Sequence, residues 1–525
     1  MLVRDGWPQY LFFRALIILL QSIGPVCVGY TQWRIFNFWG AWPIQSVFQI
    51  WCALEAIFFF FSLSYMRYHL QGEATHPRPR SKKARKAQFA RIQRNVHDPA
   101  KFFSGWFKGA KIENIGREDM RLFLNWVFWD GKADMLGADF KELEYYIGKI
   151  EQMLERPFKP GHGTAKSLRL TLDPIEMRCR SLFWYSIIML ADTIAHINMK
   201  RTGFHYFGTK ATSLPIFPPR PAALVDAARS PADRMSYWIR PHTSKTRLPI
   251  LYIHGIGAGL VSHTRFLREL DQSLNDNSEK SDGEVGILAI EILQISFRLT
   301  TAIMPRDEFL QQLTQVLDYH GYDRFVLAAH SYGSVTSTQI LTNDRLAKRV
   351  AGTLLVDPVT ILLHMPDVAY NFTVRPPKRT NEWQLWYFAS MDPGVAHTLG
   401  RHFFGAQNCF WRERITELVD GGMKFTASLA RDDLIVDTQA VGMYLTEHQI
   451  PDPVVKEDED GRRHMELQVG EREYGTANAW KRRQWQGKGM EVMWWEGLDH
   501  AQVFDRHASR ARLIDVLVRY SRSNS

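Results

Sequence analysis

The sequence predicts an α/β protein in which a mostly parallel sheet, covered by helices on both faces, follows a helical region and two membrane segments. Three observations predict it. From about residue 235 onward, short runs rich in β-branched and aromatic residues alternate with helical stretches. Glycines and polar residues follow directly after several of these runs, where strand ends would meet. Two apolar stretches open the chain.

The apolar stretches, Tyr10–Tyr30 and Pro43–Tyr65, are each long enough to cross a hydrocarbon core of roughly 30 Å. The first contains one charge, Arg14, and the second contains one carboxylate, Glu55. No small-residue cleavage site follows the first stretch, so we expect a membrane anchor of two helices over residues 1–70 and not a signal peptide. Because Glu55 is unfavourable in lipid, re-entrant or interfacial helices are the alternative.

The net charge of +10 is concentrated in one short segment. Between Arg67 and Arg94 nine residues are basic and one is acidic, so this segment carries +8 and the rest of the chain +2. A basic cluster after a membrane segment is typical of the cytosolic side, whereas nucleic-acid binding requires a basic face on a folded domain. We therefore expect a basic linker over residues 71–98, no nucleic-acid partner, and a domain facing the cytosol from the endoplasmic reticulum or another endomembrane.

The four cysteines are scattered along the chain without the spacing of metal ligands. They are Cys27, Cys52, Cys179 and Cys409. Such a distribution indicates neither a zinc site nor a disulfide framework, and it favours a reducing compartment.

A helical region is expected over residues 99–220, because two segments place apolar residues at helical spacing. The first stripe is Phe140, Leu143, Ile147, Ile150 and Leu154, and the second is Phe183, Ile187, Leu190, Ile194 and Ile197. We expect both helices to pack against the folded domain. For the second helix, which is almost entirely apolar, contact with a membrane or guidance of a substrate is the alternative.

The catalytic domain is expected over residues 235–525, where strand-like runs alternate with helices. These runs are Met235–Ile239, Pro249–Ile253, Val285–Ile295, Arg324–Ala329, Gly352–Val356, Met423–Leu429 and Gly489–Trp495. In a parallel sheet of this kind, the residues after the strands meet at one edge, and functional groups collect there.

The segment FVLAAHSYGSV combines a buried strand, a serine and a following helix. A serine nucleophile is exposed on a sharp strand-to-helix turn that tolerates only small residues two positions before and after it. Ala329 and Gly333 occupy these positions around Ser331, with alanine in place of the usual glycine. The pattern predicts Ser331 as a nucleophile.

Such a nucleophile requires two backbone N–H donors for the oxyanion, one directly after it and one from a loop earlier in the chain. The sequence His254-Gly255-Ile256-Gly257 follows an earlier strand and is suited to this role. The candidate donors are the N–H groups of Ile256 and Tyr332.

The general base is predicted to be His500, which follows the last strand in the segment WWEGLDHAQVF. Its place fits the chain order serine, acid, histidine. For the acid, Asp433 is preferred because of its spacing after the strand Met423–Leu429. Asp432 beside it and Asp357, after the preceding strand, are the alternatives.

The segments HGIGAG, AHSYGSV, LARDDLIVD and GLDHAQVF together resemble the α/β-hydrolase superfamily, in its lipase and esterase branch. The resemblance covers residues 235–525, and the N-terminal part is more loosely similar to membrane-associated hydrolases of fungi and plants. It implies a nucleophilic Ser331, a general base at His500, an orienting Asp433, oxyanion donors at Ile256 and Tyr332, and neither a metal nor an organic cofactor.

Two long insertions are expected within this domain. Residues 360–416 are rich in aromatic side chains and lie where this fold carries a lid, so they are expected to form a cap that lines an acyl pocket or packs for stability. Residues 452–488 are polar and charged and are expected to form a mobile surface loop.

The sequence thus predicts a membrane-associated serine hydrolase of lipid metabolism that cleaves carboxylic esters, with lipid acyl esters and the bilayer itself as its partners. A thioesterase, an amidase or an acyltransferase would use the same residues. A catalytically silent membrane scaffold with the same fold is a further alternative. No protein partner can be named from the sequence.

Overall fold

The computed structural model describes residues 6–37, 47–226, 228–276, 282–446, 454–457, 463–466 and 479–522. Most of the expected mobile loop at 452–488 and the connection at 38–46 lie outside the described residues.

A nine-stranded mixed sheet forms the centre of the molecule. The strands are β1 (His205–Gly208), β2 (Ala228–Arg229), β3 (Ser236–Arg240), β4 (Ile250–Ile253), β5 (Ile287–Glu291), β6 (Phe325–His330), β7 (Val350–Val356), β8 (Lys424–Ala430), β9 (Val454–Glu457), β10 (Arg463–Glu466) and β11 (Met490–Trp495). The order in the sheet is β11-β8-β7-β6-β4-β5-β3-β1-β2, and β9 and β10 pair separately as an antiparallel ribbon. Within the sheet only β3 is antiparallel to its neighbours.

Helices precede the sheet and connect its strands. They are α1 (Trp7–Asn37), α2 (Val47–Ser64), α3 (Lys82–Arg94), α4 (Pro99–Trp106), α5 (Arg117–Trp129), α6 (Ala138–Met153), α7 (Leu182–Arg201), α8 (Lys210–Ser213), α9 (Pro221–Asp226), α10 (Thr264–Asn275), α11 (Arg306–Tyr319), α12 (Gly333–Leu341), α13 (Asp344–Ala347), α14 (Pro366–Thr373), α15 (Thr380–Leu385), α16 (Pro393–His402), α17 (Gly405–Asn408), α18 (Arg412–Asp420), α19 (Thr438–Thr446) and α20 (His507–Ser521).

Both faces of the sheet are covered, as alternation along the strands requires. In β4, Leu251 and Ile253 belong to the core shared with α11 and α12, whereas Ile250 and Tyr252 belong to the core shared with α10 and α20. The predicted α/β-hydrolase fold is therefore confirmed: a mostly parallel sheet is enclosed by helices, and apolar N-terminal helices precede it.

The sheet is larger than the sequence indicated. Its edge strands β1 and β2 precede residue 235, and β1 lies inside the region expected to be purely helical. These strands are short, and β1 has no long apolar run, so its pairing with β3 through Tyr206 and Trp238 is what defines it as a strand.

The prediction of a linker over residues 71–98 needs a correction, because part of this segment forms the folded helix α3. Phe89 stacks on Tyr146 with ring centroids 4.4 Å apart. Arg85 is buried and donates hydrogen bonds to Glu142 at 2.7 and 3.2 Å. The charges that suggested a solvated segment are in part neutralised by acidic residues of α6, which are distant in sequence.

The helix α7 packs against the domain, but through the face opposite to the predicted apolar stripe. Phe183, Ile187, Leu190, Ile194 and Ile197 are all exposed, whereas the opposite face of the helix is buried. Both faces of α7 are largely apolar, so helical spacing alone could not show which one meets the protein.

The N-terminal helices α1 and α2 pack against each other, and α2 also packs against α7. Glu55 of α2 is fully buried, and its carboxylate accepts hydrogen bonds from the N–H groups of Leu182 and Phe183 at 2.8 and 2.7 Å. It thereby caps the start of α7. Among the described helices, α1, α2 with the turn after it, and α7 are long and apolar enough to cross a membrane.

Candidate active site

Ser331 occupies a sharp turn between β6 and α12. Its φ of 51° is in the left-handed region, which is unfavourable for a residue with a side chain. Its N–H donates to the carbonyl of Val356, and its carbonyl accepts the Ser334 hydroxyl at 2.6 Å. These bonds hold the serine in the strained turn.

The small residues around the serine are required by close backbone contacts. A Cβ atom at Gly333 would lie 2.5 Å from the carbonyl oxygen of Ile253, and one at Gly255 would lie 2.8 Å from the Cβ of Ser331. The loop after β4 therefore lies directly against the turn that carries Ser331.

Three side chains that are distant in sequence form one hydrogen-bonded chain. The Nε2 of His500 lies 2.8 Å from the Oγ of Ser331, and its Nδ1 lies 2.7 Å from the Oδ2 of Asp433. The register of the sheet produces this arrangement, because β6, β7 and β8 end at the same edge.

The two alternative acids have other surroundings. The carboxylate of Asp357 is buried and accepts hydrogen bonds from the N–H groups of Ala430 and Ala501, at 3.1 and 2.8 Å. Asp432 is exposed and lies 3.7 Å from the guanidinium of Arg431. Of the three candidates, Asp433 is the one in hydrogen-bond contact with His500.

The carboxylates around His500 change its acidity. Burial disfavours the imidazolium, but Asp433, Asp357 and Asp499 outweigh this effect and raise the pKa of His500 to about 9. The adjacent His330 differs: burial and the neighbouring histidines His263, His500 and His254 lower its pKa far below the ordinary value. His330 therefore stays neutral beside the site.

The predicted oxyanion donors lie next to the serine. Ile256 and Tyr332 line the same cavity as Ser331. Neither backbone N–H has a hydrogen-bond acceptor among the residues that the structure describes. Free, preorganised donors of this kind are suited to binding a developing negative charge.

Two residues to which the sequence analysis assigned no role of their own, His254 and Asp499, hold this site in place. The Nε2 of His254 accepts the N–H of Ile292 at 2.9 Å, and its Nδ1 lies 2.7 Å from the carbonyl oxygen of Gly255, so it braces the loop that carries Ile256. Asp499 accepts the N–H groups of His500 and Leu434 at 2.7 and 3.0 Å. The position of Asp499 directly before His500 in the sequence was the one signal that could have identified it.

Asp357, Asp433 and His500 also lie close enough together to hold a metal ion, with ligand atoms within 4.8 Å of one another. Hydrogen bonds already use these atoms. Each oxygen of Asp357 accepts a backbone N–H, and His500 bridges Asp433 and Ser331. Hydrogen bonds therefore account for the close approach of these three side chains without a metal ion.

An apolar cavity of about 710 Å³, part of it open to solvent, lies above Ser331. Its walls come largely from the insertion between β7 and β8, through Val368, Phe372, Leu399 and Phe403. An apolar lining with a few polar groups at one place is typical of ligand pockets. In the cavity wall, the polar side chain placed to react is that of Ser331.

No protein-family model and no curated protein matches the sequence. Among solved structures, the chain is similar to a membrane phospholipase A described as a bacterial virulence factor, with 12% identity and a TM-score of 0.36 over 64% of this chain and 93% of that chain. It is also similar to an esterase of Pyrobaculum calidifontis, with 10% identity and a TM-score of 0.34 over 68% and 95% of the two chains.

A third similar structure is the naproxen esterase of Bacillus subtilis, with 10% identity and a TM-score of 0.32 over 62% of this chain and 97% of that chain. The assignment to the α/β-hydrolase fold rests on the strand order and on the turn that carries Ser331.

Proposed function

We propose that the protein is a serine hydrolase that cleaves carboxylic esters with apolar acyl groups, lipid esters among them. One observation carries the proposal: Ser331, His500 and Asp433 form a hydrogen-bonded chain whose serine end opens into an apolar cavity. A hydroxyl, an imidazole and a carboxylate in this geometry are the groups that nucleophilic acyl transfer requires.

The proposed reaction has two halves. In the first, His500 accepts the proton of Ser331 as the Oγ attacks the ester carbonyl, and the N–H groups of Ile256 and Tyr332 stabilise the oxyanion. The bond between the carbonyl carbon and the ester oxygen then breaks, and His500 gives the proton to the alkoxide, which departs as an alcohol. The acyl group stays on the Oγ of Ser331 as an acyl-enzyme. In the second, His500 activates a water molecule that releases the carboxylic acid and restores Ser331. Asp433 orients the imidazole and stabilises its protonated form.

The apolar cavity favours an ester with a hydrophobic acyl group over a polar substrate. A thioester, an amide or transfer to a second alcohol would use the same groups, and turnover of matched ester, thioester and amide substrates separates these alternatives. A silent scaffold would lack turnover altogether.

The test is labelling of the purified full-length chain by a fluorophosphonate, which reacts with activated serines. Ser331→Ala should abolish labelling and lower ester turnover by about 10⁴-fold or more. Ser337→Ala is the matched control, since Ser337 is also buried and its hydroxyl only donates to the carbonyl of Gly333 in the same helix. Labelling that survives Ser331→Ala would contradict the proposal.

We also propose that the chain is anchored in an endomembrane through α1 and α2, with the catalytic domain in the cytosol and the exposed stripe of α7 against lipid. Leu190 and Ile194 in this stripe are 61% and 51% exposed. The hydroxyls of Ser186 and Thr193 donate to helix carbonyls, so they do not oppose contact with lipid. The contact of Glu55 with Leu182 joins the anchor to α7.

A further inference from the structure

A second, largely apolar cavity lies between the N-terminal helical region and the insertion that connects β7 and β8. Its volume is about 1240 Å³, which includes space open to solvent. Its walls include Phe89 and Ile92 of α3, Phe103 of α4, and Phe123 and Val127 of α5. These helices precede the sheet in sequence and contribute none of the three side chains that are hydrogen-bonded at the catalytic site, Ser331, His500 and Asp433.

The two cavities adjoin, because five residues line both of them. They are Trp106, Trp126, Leu363, Phe403 and Gly405. The indole N–H of Trp106 donates to the carbonyl of His364 at 3.2 Å, and that of Trp126 donates to the hydroxyl of Thr171 at 2.9 Å. With their polar atoms bonded to protein, the two indoles leave mainly carbon surface for the boundary between the cavities.

The second cavity also has charged side chains in its wall. Arg78, Arg80 and Asp130 line the second cavity and not the first. Apolar lining therefore continues from the cavity at Ser331, past the two tryptophans, into a cavity whose wall also contains charged side chains.

Protein interiors are close-packed, and unfilled apolar space lowers stability. An apolar cavity that adjoins the one at Ser331 is better explained by a ligand that fills it. Because apolar residues line the boundary between the two cavities, the hydrocarbon chain of an acyl group bound at Ser331 is the ligand whose chemistry fits.

We propose that the second cavity is the distal part of the acyl-binding site, so that the substrates are esters of long-chain fatty acids. This inference rests on the proposed function at Ser331. It gives the N-terminal helical region a direct role: α3, α4 and α5 bind the end of the chain and select for its length.

The test compares 4-nitrophenyl palmitate with 4-nitrophenyl butyrate as substrates of the full-length protein in detergent micelles. Ile92→Trp and Val127→Trp would fill the second cavity. Each buried methylene contributes roughly a factor of four in binding, so both variants should lower the palmitate-to-butyrate ratio of kcat/KM by at least about tenfold. Butyrate turnover should stay within about twofold, because a short chain ends in the first cavity.

Ala87→Trp and Leu122→Trp are matched controls, because these exposed positions on α3 and α5 do not line the cavity. An unchanged ratio in both filled variants, or an equal loss in the controls, would overturn the inference. Butyrate turnover that does not depend on Ser331 would instead overturn the proposed function.

A second measurement does not depend on the folding of a variant. Labelling of the unmodified protein with hexadecyl fluorophosphonate should slow hydrogen exchange in residues 82–94 and 117–129, and labelling with ethyl fluorophosphonate should not. Identical exchange after the two labels would contradict the inference.

Discussion

The Nδ1 of His500 lies 2.7 Å from the Oδ2 of Asp433, whereas the equally buried carboxylate of Asp357 accepts two backbone N–H groups. Asp433→Asn should therefore lower kcat by about 10⁴-fold, because an amide cannot hold the imidazole in the required tautomer. Asp357→Asn should act mainly on stability, since it disturbs the bonds to Ala430 and Ala501. Ester turnover of both variants, compared at equal fractions folded, checks the assignment. A larger loss in Asp357→Asn would make Asp357 the acid.

The pH dependence of kcat/KM follows from the charges around His500. The general base must be neutral, and the pKa of His500 is raised to about 9, so kcat/KM should increase with pH until about that value. Asp433→Asn removes the largest contribution that raises this pKa, so the residual activity should reach its plateau at lower pH. Asp499→Asn should shift the midpoint of the rise in kcat/KM less than Asp433→Asn does. Identical midpoints in all three proteins would contradict this account.

The same group links stability to pH. A raised pKa means that protonated His500 stabilises the folded state. This contribution should be complete below the unfolded pKa of about 6.5 and should be lost as pH rises through about 9. The melting temperature should therefore fall over this interval less in His500→Gln than in the unmodified protein. Equal slopes in both proteins would show that other groups control the effect.

The buried pair of Arg85 and Glu142 should stabilise the N-terminal helical region. Glu142→Ala leaves a buried guanidinium with only Asp139 as a charged partner at 3.1 Å, and should lower the free energy of unfolding by about 3 kcal/mol. Denaturant unfolding in detergent measures this change in the free energy of unfolding. Glu113→Ala is the control, because its pair with Arg156 is exposed and contributes little. Similar losses in both variants would show that burial of the pair is not the cause.

The exposed stripe of α7 should contact lipid. A benzoylphenylalanine photocrosslinker at Leu190 should form lipid adducts in vesicles that contain a fluorescent phospholipid. The same group at Tyr319, an exposed residue of α11, should not. Equal adduct yields at the two positions would count against a membrane-facing α7.

The distribution of basic residues predicts the orientation of the chain. Nine basic residues between Arg67 and Arg94 follow α2, so this side and the catalytic domain should stay in the cytosol. Protease added to sealed microsomes with their cytosolic face outward should digest the domain that carries Ser331. A domain protected until detergent is added would reverse the orientation, and release by carbonate washing would show that neither N-terminal helix spans the membrane.

Local patterns were sufficient to predict the fold class. Alternating strands and helices, and small residues around Ser331, are properties of short segments, because period and turn geometry are set by neighbouring residues. They also identified Ser331, His500 and Asp433 as residues that should lie together, and the structure places them within hydrogen-bond distance.

Tertiary structure decided what depends on contacts between distant segments. Asp432, Asp433 and Asp357 all follow strands, and only the packing of the loops after β7, β8 and β11 determines which carboxylate reaches His500. Part of the basic segment forms the helix α3, which packs on the domain with Arg85 neutralised by Glu142 of α6. The apolar stripe of α7 faces outward because the domain covers the other face. Composition records that a side chain is apolar or charged, but burial and pairing depend on partners that only the folded chain supplies.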